Sequence, residues 1–207
     1  MKASNTTGVT GTSVSSRDKI LASVQKNQPV SVELPPIINH DQRYPDVVEK
    51  YMEVLRFIGG DVHLVNDFAE IESIVRGAFQ HEKRMVSTCV EFAGLAEVDL
   101  VVNDPHEVGN VDLFITTSRL AVAENGSVWL QGEQILARVL PFITQQLAVI
   151  VKKENIVSTM HDAYNVIGNI DYSYAAFIAG PSKTADIEQS LVLGAHGAKT
   201  MTVFILK

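Results

Sequence analysis

Two stretches of the chain combine residue types that do chemistry. The first is Gly180-Pro181-Ser182-Lys183-Thr184-Ala185-Asp186-Ile187-Glu188, which follows the apolar run Ala175–Ala179. Gly180 lets a strand turn tightly, and Ser182, Thr184 or Asp186 can cap a helix, so the pattern predicts a short helix near Asp186–Leu193. Free amides at such a helix start, beside the Lys183 ammonium and two hydroxyls, can hold a phosphate or a carboxylate. In open α/β sheets the ligand crevice lies at the carboxyl ends of the strands, where this loop falls. The competing reading is a well-capped turn in which Asp186 and Glu188 only favour the helix dipole. Downstream, Gly194 and Gly197 bracket His196. An imidazole there can serve as an acid, a base or a ligand near neutral pH, or can simply hydrogen-bond within its turn.

The second stretch is Ala121-Val122-Ala123-Glu124-Asn125-Gly126-Ser127-Val128. Asn-Gly between two apolar runs predicts a hairpin with a type I′ turn. A carboxylate held rigidly before that turn can act as a nucleophile, a base or a ligand anchor. The plainer alternative is a polar turn with no chemistry.

The elements that would position these stretches follow from periodicity. Met1–Ser16 is Ser/Thr/Gly-rich and is expected to be a flexible tail. Residues 17–45 give a short helix, capped by Ser16, and an extended connector carrying Pro29, Pro35, Pro36 and Pro45. Residues 46–207 alternate: helix at Asp46–Ile58, strand at Val62–Val65, helix at Asp67–Gln80, then strands at Arg84–Thr88, Val98–Val102 and Val111–Thr117. After the hairpin come a strand at Leu147–Val151, a helix to Ile167 capped by Ser158, and strands at Ala175–Ala179 and Met201–Leu206. The alternation predicts an α/β fold, a layered mixed, mostly parallel sheet flanked by helices.

Composition excludes several functions. The 207 residues carry 17 Lys+Arg against 24 Asp+Glu, a net charge of −7, with no dense cationic stripe. That argues against nucleic acid or an anionic membrane surface as partner. No apolar run approaches the roughly 20 residues of a membrane span. One cysteine, Cys89, forms no internal disulfide, no Cys-rich zinc site and no iron–sulfur cluster, which takes about four thiolates. A reducing, cytoplasmic location is expected. The six histidines include no pair at helical ligand spacing, and no metal site is expected. The dinucleotide G-x-G-x-x-G, the P-loop and the G-x-S-x-G elbow are all missing.

Gly180 through Gly197 and Ala121 through Ser127 together resemble the LUD-domain family, in its lactate utilization protein C branch. The family usually reads close to Ala-Ile-Ala-Glu-Thr-Gly-Thr in the second block, so Asn125 and Ser127 depart from it. After Leu140-Pro141 the family often has a histidine, whereas Ile143-Thr144-Gln145-Gln146 stands here. The resemblance implies a fold like the sugar-phosphate isomerase and CoA-transferase (NagB/RpiA-like) superfamily. It implies a part in oxidising L-lactate to pyruvate beside two partner proteins that carry iron–sulfur clusters, with no cofactor on this chain itself. The expected site is a crevice for a small carboxylate or phosphate, formed by Asn125, Gly126, Ser127, Gly180, Pro181, Ser182, Lys183, Thr184, Asp186, Glu188 and Gly197. Glu124 and His196 are its candidate catalytic groups. Two alternatives stay open: acyl transfer through Glu124, since Glu-Asn-Gly also resembles the nucleophile of family I CoA transferases, and a purely structural assembly subunit. Whether the chain is itself an enzyme, and whether it self-associates, stay open with them.

Overall fold

The computed structural model describes residues 14–33, 44–187 and 190–207, in two units, Met1–His40 and Asp41–Lys207. In the first unit, α1 (Ser16–Lys26) is capped by Ser15, whose hydroxyl accepts from the Asp18 amide, one residue before the expected Ser16; no residue of this helix is buried. Residues 34–43 of the expected Pro-rich connector lie outside the described residues, as does most of the expected N-terminal tail.

The second unit opens with α2 (Val47–Phe57), β1 (Asp61–Val65), α3 (Phe68–Ala78), β2 (Met85–Ser87) and β3 (Leu113–Ser118). It continues with β4 (Leu120–Val122), β5 (Ser127–Gln131), α4 (Leu140–Ile143), β6 (Gln146–Lys152), β7 (Ile156–Val157) and α5 (Met160–Ile167). It ends with β8 (Ala175–Ala179), β9 (Lys183–Ile187), β10 (Ser190–Leu193) and β11 (Thr200–Leu206).

Five strands form a parallel sheet in the order β1-β11-β6-β3-β2. Strands buried on both faces need apolar runs, and Leu147–Val151 and Val203–Ile205 supply them. One face carries α3: Ile71, Val75 and Phe92 pack there on Ile115, Ile150 and Phe204. The other carries α2, with Tyr51 and Leu55 buried among Val149, Val151 and Val203. Aspartates cap both helices, Asp46 taking two backbone amides at 2.9 Å and Asp67 one at 2.8 Å. A second, mixed sheet, β7-β4-β5-β8, is inserted between the long parallel strands and is covered by α5.

Four local expectations are corrected. Residues 98–102 form no strand; only Glu97 bridges to Val86. The hairpin turn is not type I′, because Asn125 keeps a negative φ. Four residues connect the strands, Gly126 alone is left-handed at φ +69°, and its amide bonds the Val122 carbonyl at 2.9 Å. Thr159, not Ser158, caps α5, through a reciprocal box with Asp162. Most consequentially, no helix follows Gly180: β9 and β10 form an antiparallel pair there instead. A segment as short and apolar as Leu191-Val192-Leu193 serves a strand as well as a short helix, and periodicity does not decide between them.

Candidate functional site

The two stretches singled out in the sequence are neighbours. Ser127 of β5 pairs with Ala179 of β8, so the hairpin turn and the Gly180 loop leave the same end of the small sheet. Both close on the end of α2. A Cβ on Gly126 would sit 3.1 Å from Ile58 Cδ1, and one on Gly180 3.1 Å from the Ile58 carbonyl oxygen. Each glycine has φ +69°. Close approach and left-handed backbone both require glycine here. Lys183 Nζ donates to the same Ile58 carbonyl, at the C-cap of α2. A helix end exposes unpaired carbonyls and a partial negative charge, and an ammonium satisfies both. The loop is thus a clasp on a helix C-terminus, and the N-terminal anion cradle expected from the sequence is replaced by it.

A cavity of about 310 Å³ lies beside the clasp, lined by Phe142, Phe177, Pro181, Ser182, Lys183 and His196 among others. Gly197 also lines it, and His196 is exposed at its lip. A Cβ on Gly197 would lie 3.1 Å from Ser182 Cβ, which places the two turns in contact. Glu124, Asn125, Gly126 and Ser127 do not line this cavity. Glu188 and the side chain of Asp186 lie outside the described residues.

Glu124 is exposed, and its carboxylate has a structural partner: Oε2 accepts from the Met160 amide at 2.8 Å, at the first turn of α5. The Glu124 amide in turn donates to Ser158 O at 3.0 Å. The Asn125 side chain accepts from the Ser127 amide at 3.0 Å, closing the turn, and Ser127 Oγ is buried with no partner among the described residues.

A second crevice, of about 500 Å³, opens where β3, β6 and β11 end, and the sequence reading missed it. Arg119, Gln134 and Lys152 line it with Phe68, Ile150 and Leu206. The available signal was positional: polar and cationic residues immediately follow the apolar runs of β3 and β6. A larger groove of about 1110 Å³ runs along α2, lined by Lys50, Met52 and Phe57 among others, with Lys153 from just past the end of β6.

Among the described residues no three His, Cys, Asp or Glu side chains gather as metal ligands. Burial pushes the Cys89 thiol up, partly offset by hydrogen bonds from Thr88 and Ser87. A thiol so placed behaves as a small apolar side chain. Beyond the crevices, Arg84 holds the Glu97 carboxyl below the usual carboxylate range through a hydrogen bond at 2.9 Å.

Similarity to known proteins agrees with this fold. A model of the LUD domain matches residues 102–206. A lactate utilization protein C from Oceanobacillus iheyensis is 26% identical over 171 residues, covering 80% of this chain and 70% of that one. Another, from Geobacillus kaustophilus, is 32% identical over 155 residues, covering 70% of this chain and 62% of its own length, so the chain spans less than two thirds of that relative. The crystal structure of a DUF162 family protein from Deinococcus radiodurans shares the fold, with TM-score 0.53 and 16% identity over 78% of this chain and 96% of that one.

Proposed function

The chain belongs to the LUD domain family, and from that premise we propose that it serves lactate utilization as a component without a redox centre of its own. In this reading it works in the cytoplasm, in a system that oxidises L-lactate to pyruvate, beside two partner proteins that carry iron–sulfur clusters. The observation that carries the reading is the likeness, over 70–80% of this chain, to proteins named lactate utilization protein C.

Chemistry supports the division of labour. Converting lactate to pyruvate releases two electrons and two protons, and an acceptor must take them. A cysteine-ligated cluster takes about four thiolates, and this chain has one cysteine, which is buried. The electrons therefore pass to a cofactor on another protein, and this chain contributes binding and orientation. A small carboxylate or phosphate is its ligand. Acyl transfer through Glu124 is the weaker reading, since that carboxylate already caps α5.

Deleting the gene tests the role. Growth on L-lactate as sole carbon source should stop while growth on glucose continues, and the intact gene should restore it. Unchanged growth on lactate overturns the reading.

A further inference from the structure

The crevice at the carboxyl ends of β3, β6 and β11 sets two cations and a glutamine beside an apolar floor. In register, Phe204 lies beside Ile150 and Ile150 beside Thr117, while Leu206 lies beside Lys152. One step beyond the last β3–β6 pair, Ser118 with Val151, the next residues are Arg119 and Lys152. Arg119 leaves β3 just past its last paired residue and Lys152 ends β6, so the two cations stand at the same strand ends and line one crevice. Among the described residues Lys152 has no ion-pair partner, and Arg119 has only Glu133, which also lines the crevice, at 3.7 Å and with a side chain 75% exposed. In a chain of net charge −7, this pair of cations stands at one strand-end crevice.

Gln134 adds a directed donor. Its residue is 9% exposed, and its Oε1 accepts from the Gln131 amide at 3.2 Å. Its backbone carbonyl accepts from the Thr116 hydroxyl, which itself accepts from Thr88 at 3.1 Å. These bonds fix the residue, and among the described residues nothing accepts from its Nε2. The loop that carries it is also strained: Leu136 has φ +50°, and the Ala137 amide bonds back to Ile135 O across it. A non-glycine residue held there is strained, and such strain gathers at ligand sites. Phe68, Ile150 and Leu206 supply an apolar floor.

The geometry points to a binding site for an organic anion with an apolar body: the carboxylate or phosphate between Arg119 and Lys152, with Gln134 donating to it, and the body on Phe68, Ile150 and Leu206. The volume of about 500 Å³ suits a small molecule, for which sites run from about 300 to 1,000 Å³. It exceeds what a three-carbon acid fills. This deepens the anion-binding part of the function proposed above and leaves the lactate pathway itself untouched.

Calorimetric titration of the purified full chain with 3-phenyllactate, phenyl phosphate, inorganic phosphate and the neutral 3-phenyllactamide tests it without any lactate-oxidation assay. At least one phenyl anion should bind, more tightly than inorganic phosphate and far more tightly than the amide. Which of the two binds separates a carboxylate ligand from a phosphate ester. Arg119→Met and Lys152→Met, both at exposed positions, should each weaken that binding about three- to tenfold. Lys83→Met, at the amino end of the sheet, should leave it unchanged. The site is overturned if neither phenyl anion binds at millimolar concentration, if the amide binds as well, or if Lys83→Met costs as much as Lys152→Met. Unchanged growth of the deletion strain on lactate would overturn the pathway reading and leave these binding results standing, and the reverse also holds.

Discussion

Glu124 Oε2 accepts the backbone amide hydrogen of Met160 at 2.8 Å, joining residues 36 apart in sequence. A hairpin carboxylate thereby satisfies one of the orphan amides of α5 and sits where the helix dipole favours negative charge. Glu124→Ala should lower stability by about 0.5–2 kcal/mol, read as the midpoint of urea unfolding at constant slope. Glu124→Gln keeps an acceptor and should lose less. If the carboxylate were instead an acyl-carrying nucleophile, Glu124→Gln would abolish acyl transfer to CoA by the purified chain with little change in stability.

Lys183 is held by the Ile58 carbonyl. Lys183→Met should cost about 0.3–1 kcal/mol, with amide exchange accelerated at Phe57–Gly60. It should leave anion binding unchanged. A loss of anion affinity without any change in exchange would instead return the anion site to this loop.

Gly126→Ala and Gly180→Ala each force a Cβ into 3.1 Å contact with Ile58 from a backbone at φ +69°. Each should destabilise by about 1–3 kcal/mol. Gly77→Ala meets no atom within 4 Å and is helical, so it should be neutral or stabilising by up to about 1 kcal/mol. Thermal unfolding of the three variants checks the order.

Glu97 has its carboxyl depressed in the folded state by Arg84, through a side-chain hydrogen bond first and Coulomb attraction second. A depressed carboxylate stabilises above its ordinary pKa, and that stability is lost as the pH falls through the folded value. Both side chains are partly exposed, at 22% for Arg84 and 47% for Glu97, so the contribution is at most about 1 kcal/mol. Glu97→Gln should lower stability at pH 7 and flatten its fall below about pH 4. Equal losses at pH 7 and pH 3 would contradict the assignment.

The central strands were legible because parallel strands buried on both faces need continuous apolar runs, and Leu147–Val151 has nothing else to be. Helices α2 and α3 were legible through Asp46 and Asp67 at the cap and the apolar stripes behind them. Residues 183–193 were not, because strands of four or five residues and a short helix share the same short pattern, and β9–β10 pairing is a contact between segments. Residues 98–102 read as a strand because they are apolar; in the fold they supply Leu100 and Val102 to the core edge without a partner strand. The site was legible in part. Gly126 and Gly180 were correctly marked as special, yet what makes them special is the approach of Ile58, more than 65 residues upstream of the nearer one. Arg119 and Lys152 carry no motif at all, and only the parallel sheet brings the ends of β3 and β6 to one crevice.

The most direct test of the account is to reconstitute lactate oxidation from purified proteins and follow L-lactate-dependent reduction of an electron acceptor. The three proteins together should reduce the acceptor. Omitting this chain should abolish the reaction, and this chain alone should be inert toward lactate and hold no stoichiometric iron. Undiminished reduction without this chain, or lactate oxidation by this chain alone, would contradict its assignment as the non-redox component.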